Sequence, residues 1–275
     1  MSDRVTITIT DGVADVRMVR VDKRNALDGA MFSDLAAAGE ELKASTGVRA
    51  VVLSGDGPSF CAGLDFGSFQ AMAGGGGAGG GGGGNSGEGN PGAMAEGRIT
   101  HLGQQVAWVW QELPMPVIAA VHGHALGGGI QIALGADIRI VHPDTQLSVR
   151  EVHWGLVPDM TGTLALSQLV RADIAKELVF TARVFDGREA FAIGLATKLS
   201  ATPYDDAMAM ARDIAGRSPD AVRGAKALIN GLLHDRAAEQ FAAERRVIGS
   251  LIGGKNQVEA VMANFEKRAP DFVDA

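Results

Sequence analysis

The chain has 275 residues, 46% of them hydrophobic, a net charge of −7 and a single cysteine, Cys61. A chain of this length buries about three quarters of the surface its unfolded form exposes, so a sizeable core in one or two domains is available. The acidic balance gives no overall attraction to nucleic acid or an anionic membrane. A lone cysteine excludes an internal disulfide and a cysteine-built metal site, and no window reaches the roughly 18 apolar residues of a membrane span.

In chain order, Val5 to Thr10 and Val13 to Val21 alternate at period two around Asp11-Gly12, which predicts a β-hairpin. The opening MSDRVTITITDG also lacks the uncharged segment of a signal peptide, so a cytoplasmic location is expected. Asp28 is the expected N-cap of a helix running to Lys43, and Val48 to Leu53 reads as a buried strand. Residues 74–89 hold twelve glycines in sixteen positions. Such a tract buries no side chains and predicts a mobile insertion or a flap over a site. A helix is expected over Thr100 to Leu113, ended by Pro114 and Pro116, then a strand at Val117 to Val121, a helix after the glycine triplet, and a strand at Asp137 to Val141. Repetition of strand, helix, strand predicts an α/β fold. From Thr161 onward the patterns are helical, which divides the chain into a core at 1–200 and a helical C-terminal subdomain at 201–275.

Two glycine turns follow predicted strands. The first lies in GPSFCAGLDF, Gly57 to Phe66, where Cys61 spoils the G-x-S-x-G pattern of a serine nucleophile and reads as a small core residue. The second is Gly127-Gly128-Gly129 within HALGGGIQIALGA, which matches neither the dinucleotide fingerprint nor a P-loop. Tight packing would account for one glycine there; three suggest close approach of a ligand oxygen to bare amides at a helix start. Two such turns are the parts of an oxyanion hole, worth roughly 3 to 4 kcal/mol of barrier per donor.

FCAGLD, AVHGHALGGG and SVREVHWGLVPDMTGT, in that order, with NALD before them and FEKRAPDF at the end, resemble the enoyl-CoA hydratase/isomerase (crotonase) superfamily over nearly the whole chain except the glycine insertion. The resemblance implies a spiral of strand-strand-helix repeats, assembled as trimers or paired trimers, that acts on acyl-CoA thioesters with coenzyme A as part of the substrate and no separate cofactor. It implies oxyanion amides at Leu64 and Gly128. It sets the CoA moiety along Lys23, Arg24 and Ala26, with Ala62, Asp65 and Phe66 around the adenine and Lys267 reaching phosphates, sometimes across a subunit interface.

Hydratases of this family hold one water between two glutamates. Here Glu151 stands at one of these positions and Gln131 at the other, and an amide relays no proton. Asp159, eight residues after Glu151, resembles the second carboxylate of dienoyl-CoA isomerases, which implies a pair that moves protons while a double bond shifts. Three readings stay open: an isomerase using Glu151 and Asp159, a hydratase using Glu151 alone, and a CoA-ester binding protein without chemistry. Glu151 could instead pair with Arg150, and Asp159 could cap the helix at TGTLALSQLV. His122, His124 and His153 have no recognised metal spacing. His153 and Trp154 are candidates for the acyl pocket, with Met72, Met94 and Trp108 shaping its far end.

Overall fold

The computed structural model describes residues 3–67, 89–94 and 97–273. The predicted hairpin forms: β1 (Val5–Thr10) pairs antiparallel with β2 (Val13–Met18). Asp11 and Gly12 both take positive φ, 51° and 81°, as a two-residue hairpin turn of this hand requires. β2 stops at Met18, short of the expected Val21, because Val21–Lys23 winds into a 3-10 turn. From β2 onward neighbours are parallel, in the order β2, β3 (Ala50–Gly55), β4 (Val117–Val121), β6 (Ile138–Val141) and β8 (Lys198–Leu199).

Both faces of this sheet are covered. Val51, Leu53, Val117 and Ala119 belong to the larger core, and Ala50, Val52, Ile118 and Ala120 to a second one. Parallel strands buried on two faces read as unbroken apolar runs, which is why VVL and VIAAV show no alternation. On the larger core lie α1 (Gly29–Ala44), α2 (Leu102–Glu112) and α3 (Gly128–Leu134). Asp28 caps α1 as expected, its Oδ1 accepting from the Met31 amide at 2.8 Å. The opposite face is closed by α7 (Pro203–Ala215), whose Ala207, Ala211 and Ala215 bring the helix close to the strands.

A second, shorter ladder runs beside the sheet. Leu27 bridges to Leu64, Cys61 to Ala125, and β5 (His124–Leu126) pairs in parallel with β7 (Gln146–Ser148). Each turn of chain therefore makes a main strand, a short extended piece in this ladder and then a helix. The spiral of strand-strand-helix repeats is the fold of this protein. β5, β7 and β8, at two or three residues each, are too short to carry a readable period.

Further helices with both ends among the described residues are α4 (Gly162–Leu169), α5 (Ala172–Thr181), α6 (Gly187–Ala192), α8 (Pro219–Leu233), α9 (Ala237–Leu251) and α10 (Lys255–Glu266). α8 is tied to the core by Lys226, whose buried ammonium donates to Asp137 Oδ2 at 2.7 Å and to the Trp110 and Met115 carbonyls. Among the described residues no helix is long and apolar enough to cross a membrane. The glycine tract at 74–89, apart from Gly89, lies outside the described residues, as does Met72.

Candidate active site

The short ladder and α9 border a cavity of about 570 Å³. Leu64, Gly128, Glu151 and Asp159 all line it. The two glycine turns meet there: a Cβ added to Gly63 would lie 2.6 Å from the Leu126 carbonyl oxygen and 3.9 Å from the Gly127 nitrogen. The groups flanking the Leu64 amide are committed, Gly63 O accepting from Leu27 N at 2.8 Å and Asp65 N donating to Leu27 O at 3.0 Å. The amides of Leu64 and Gly128 themselves take no acceptor among the described residues. For Gly128 this follows from its place in the first turn of α3, where amides have no partner within the helix.

The triplet has reasons internal to the chain. A Cβ on Gly129 would lie 2.2 Å from the Cys61 carbonyl oxygen, and one on Gly128 2.7 Å from Leu27 Cδ1 and 2.9 Å from Met160 Sδ. Gly127 takes φ 53° and ψ −119°, a backbone state that suits glycine. Packing against backbone thus accounts for Gly129 and backbone conformation for Gly127, while Gly128 meets the ends of the Leu27 and Met160 side chains.

Glu151 opens the 3-10 turn Glu151–Trp154 and is buried. Its Oε1 accepts from Gln131 Nε2 at 2.6 Å, while Oε2 is buried with no partner. Burial pushes its carboxyl up to about 7, against the Gln131 hydrogen bond that pulls it down. Gln131 is fixed from behind, because its Oε1 accepts from the Met160 and Gly162 amides, each at 3.0 Å. An oxygen that accepts twice defines the other end of the amide as the donor, so Gln131 presents only N–H to Glu151. There is no ion pair between Glu151 and Arg150 among the described residues.

Gln131 also does what Asp159 was offered for as an alternative. It supplies the acceptor at the start of α4, whose N-cap Thr161 makes no side-chain cap bond. Asp159 is left on the cavity wall, its carboxyl pushed up to about 8 by burial and by the charges of Glu151 and Glu244. Its Oδ2 lies 3.9 Å from His101 Nε2.

Lys23, Arg24, Ala26, Ala62, Asp65 and Phe66 all lie on the wall of the same cavity. Asp65 has both oxygens engaged, Oδ2 with Arg20 at 2.8 Å and Oδ1 with the Gly67 amide at 2.9 Å. Despite partial burial, these bonds hold its carboxyl below the usual range. Phe66 is 64% exposed and meets Trp154 and Phe265 edge-on, both at 6.2 Å. Lys267 is exposed at the end of α10 and does not line the cavity. Cys61 is fully buried, its thiol pushed up to about 12 by burial, which fits a core residue. Trp154 lines the cavity and His153 does not; Trp108 packs instead against Phe241 and His234, at 4.8 and 4.5 Å, and Met94 is exposed. His122 and His124 are engaged by the Gly57 carbonyl at 2.9 Å and the Ser59 hydroxyl at 2.8 Å.

Four residues of the wall and its support were not singled out from sequence: His101, Gln104, Glu244 and Arg245. His101 caps α2 in a capping box with Gln104, and the H-x-x-Q spacing is a usable signal although histidine is not among the favoured caps. Glu244 accepts from Gln104 Nε2 at 3.0 Å, the Thr161 amide at 3.1 Å and the Thr163 hydroxyl at 2.5 Å. No local pattern announces a contact spanning 140 residues.

Compared with known proteins, residues 13–274 match the family model described as enoyl-CoA hydratase/isomerase. A Bos taurus protein named enoyl-CoA hydratase domain-containing protein 2, mitochondrial, is 32% identical, the match covering 95% of this chain and 84% of the relative. The Mus musculus methylglutaconyl-CoA hydratase, mitochondrial, is 30% identical, covering 95% and 79%. Among solved structures, an enoyl-CoA hydratase/isomerase from Pseudoalteromonas atlantica T6c superimposes with a TM-score of 0.84 at 25% identity, covering 98% of this chain and 100% of that one.

Proposed function

The chain belongs to the enoyl-CoA hydratase/isomerase family, whose members process acyl-CoA thioesters, and from that premise we propose that it shifts a double bond in an enoyl- or dienoyl-CoA. The observation that carries this reading is the Gln131–Glu151 contact. Where a second carboxylate would share a water with Glu151, the chain has an amide whose oxygen is spent on two backbone N–H groups. It can orient Glu151 and cannot take a proton from water.

In the proposed reaction the thioester oxygen accepts from the Leu64 and Gly128 amides. An ionised carboxylate of the Glu151–Asp159 pair removes the proton next to the thioester, and the resulting enolate charge rests on that oxygen. The other carboxyl, protonated, returns a proton at the far end of the conjugated system, so the double bond moves and the formula is unchanged. The open Glu151 Oε2 and the raised proton affinity of both groups support this division. The CoA moiety would run along Lys23, Arg24 and Ala26, with Ala62, Asp65 and Phe66 beside the adenine. Lys267 would join from a neighbouring subunit, which makes a trimer or dimer of trimers part of the proposal; sedimentation of the purified protein tests it.

Turnover of defined 3-enoyl- and 3,5-dienoyl-CoA esters tests the chemistry. The expected product has unchanged mass, takes up deuterium from heavy water and, from the dienoyl ester, gains the ultraviolet absorbance of a conjugated dienoyl thioester. A second reading, hydration by Glu151 alone, is favoured by the names of the bovine and mouse relatives. It would appear as loss of enoyl absorbance with the mass of one water added. Thermal stabilisation by the esters with no turnover of either kind would point to a binding protein.

A further inference from the structure

We propose that His101 is a positioning residue for Asp159: its neutral imidazole, locked with the proton on Nε2, donates to the Asp159 carboxylate once an acyl chain closes the gap between them. This rests on the reading of Asp159 as a proton carrier.

The lock is built from the helix end. His101 Nδ1 accepts from the Gln104 amide at 3.0 Å, and Gln104 Oε1 accepts in return from the His101 amide at 3.3 Å. A ring nitrogen that accepts carries no proton, and a neutral imidazole has one, so the proton sits on Nε2. That nitrogen faces Asp159 Oδ2 across 3.9 Å, and both residues line the cavity. Contacts of this kind are often long in an empty site and shorten when substrate is held.

The ring has little freedom to turn away. A Cβ on Gly103 would lie 3.1 Å from His101 Cε1 and 3.3 Å from Nδ1, so glycine there makes room for the ring. Gln104 is itself oriented by α9, its Nε2 donating to Glu244 Oε2 and to the Phe241 carbonyl, each at 3.0 Å, and its Oε1 also accepting from Arg245 at 2.8 Å. The charged groups acting on the pair are Arg245 near the imidazole, and Glu151 and Glu244 near Asp159. Burial, joined by the Arg245 charge, lowers the imidazole to about 4, so it stays a neutral donor through the working range. One oxygen of Asp159 is then steered by His101, and the other is free for the acyl chain.

Nitrogen-15 NMR of the histidine rings, with a labelled Asp159 carboxyl, tests this without needing turnover. The expected result is a single Nε2–H tautomer for His101 across about pH 5 to 9, with a ring shift on adding an acyl-CoA ester that is lost in Asp159→Ala. His101→Asn keeps a good helix cap and loses reach. With an acyl-CoA ester bound and the donor gone, the ionised form of Asp159 is less favoured than in the ester-bound parent, and its titration moves up by about one pH unit. A helix-capping role alone would leave that titration in place. An Nδ1–H or charged ring near neutral pH, or an unmoved Asp159 titration in ester-bound His101→Asn, would overturn the role of His101. Full isomerase turnover in Asp159→Asn would instead overturn the proton-carrier reading beneath it.

Discussion

Glu151 and Glu244 are both buried, both lean toward the protonated state because burial disfavours their charge, and both receive hydrogen bonds from side chains on other elements. Their surroundings differ in what is left over. Glu244 accepts from Gln104, Thr161 and Thr163 and has no open oxygen, whereas Glu151 accepts from Gln131 and leaves Oε2 without a partner on a cavity wall. Burial raises proton affinity in both regions, but a saturated carboxylate can only hold the fold together. The unsatisfied one is free to exchange a proton with something that enters.

The sharpest way to break that contrast is to remove each carboxylate in turn. Glu151→Gln is expected to lower kcat on the order of 10³-fold, as loss of an acid-base group does, while the affinity for the CoA ester, read by calorimetry, stays within about twofold because the amides and CoA contacts survive. Glu244→Ala should act the other way. It leaves three donors without an acceptor, and denaturant titration should show a loss of about 2 to 4 kcal/mol, with turnover per folded molecule changed far less than in Glu151→Gln.

The pH profile sharpens the comparison further. With Glu151 near 7 and Asp159 near 8, the two steps belong to the pair, and in the proposed reaction the state with one proton between them is the working one. Below that window both are protonated and no base remains; above it both are ionised and no acid remains. The rate should therefore fall on each side, roughly tenfold per pH unit once past the window. Stability follows from the same burial. Raised from its ordinary 4.5 to about 7 in the folded chain, Glu151 contributes fully below pH 4.5 and loses that contribution as pH rises through 7. Glu151→Gln should be more stable than the parent at pH 8 by at most about 3 kcal/mol, and no more stable near pH 4. The smallest expected signal is a gain: Gln131→Glu keeps an acceptor for the Met160 and Gly162 amides and adds a second carboxylate, so weak water addition to a 2-enoyl-CoA should appear, read as added mass.

Much of the framework was legible because it is local. The Asp11-Gly12 turn, the Asp28 cap, the apolar runs of β3 and β4 and the order of FCAGLD, GHALGGG and REVHWG each depend on neighbours in the chain. What was not legible is long-range. The three glycines suggested a ligand, but the Cys61 carbonyl, Leu27 and Met160 that crowd two of them come from three separate turns of the spiral. Gln131 could be seen to lack a proton. That its oxygen would be held by the amides of Met160 and Gly162, about thirty residues away, left no trace in the local pattern. The same holds for Glu244 reaching Gln104 and for His101 facing Asp159.

In each turn of the spiral the chain leaves the short ladder and enters its helix beside the cavity, and the linker is short at Leu27 to Gly29 and at Leu126 to Gly128. In the second turn the corresponding link runs from Leu64 to Leu102 and contains the glycine tract. At its start the Asp65 amide is bonded to the Leu27 carbonyl, and at its end His101 forms the capping box of α2. The described end of the link is tied to that helix start, with Met94 bridging His101 and the Leu102 and Gly103 amides donating to the Ala93 and Pro91 carbonyls, each at 2.8 Å. The six strands of the main sheet all lie on either side of this link, so it supplies none of that sheet's described pairings, while its described ends contribute Phe66, Pro91 and Gly92 to the cavity wall.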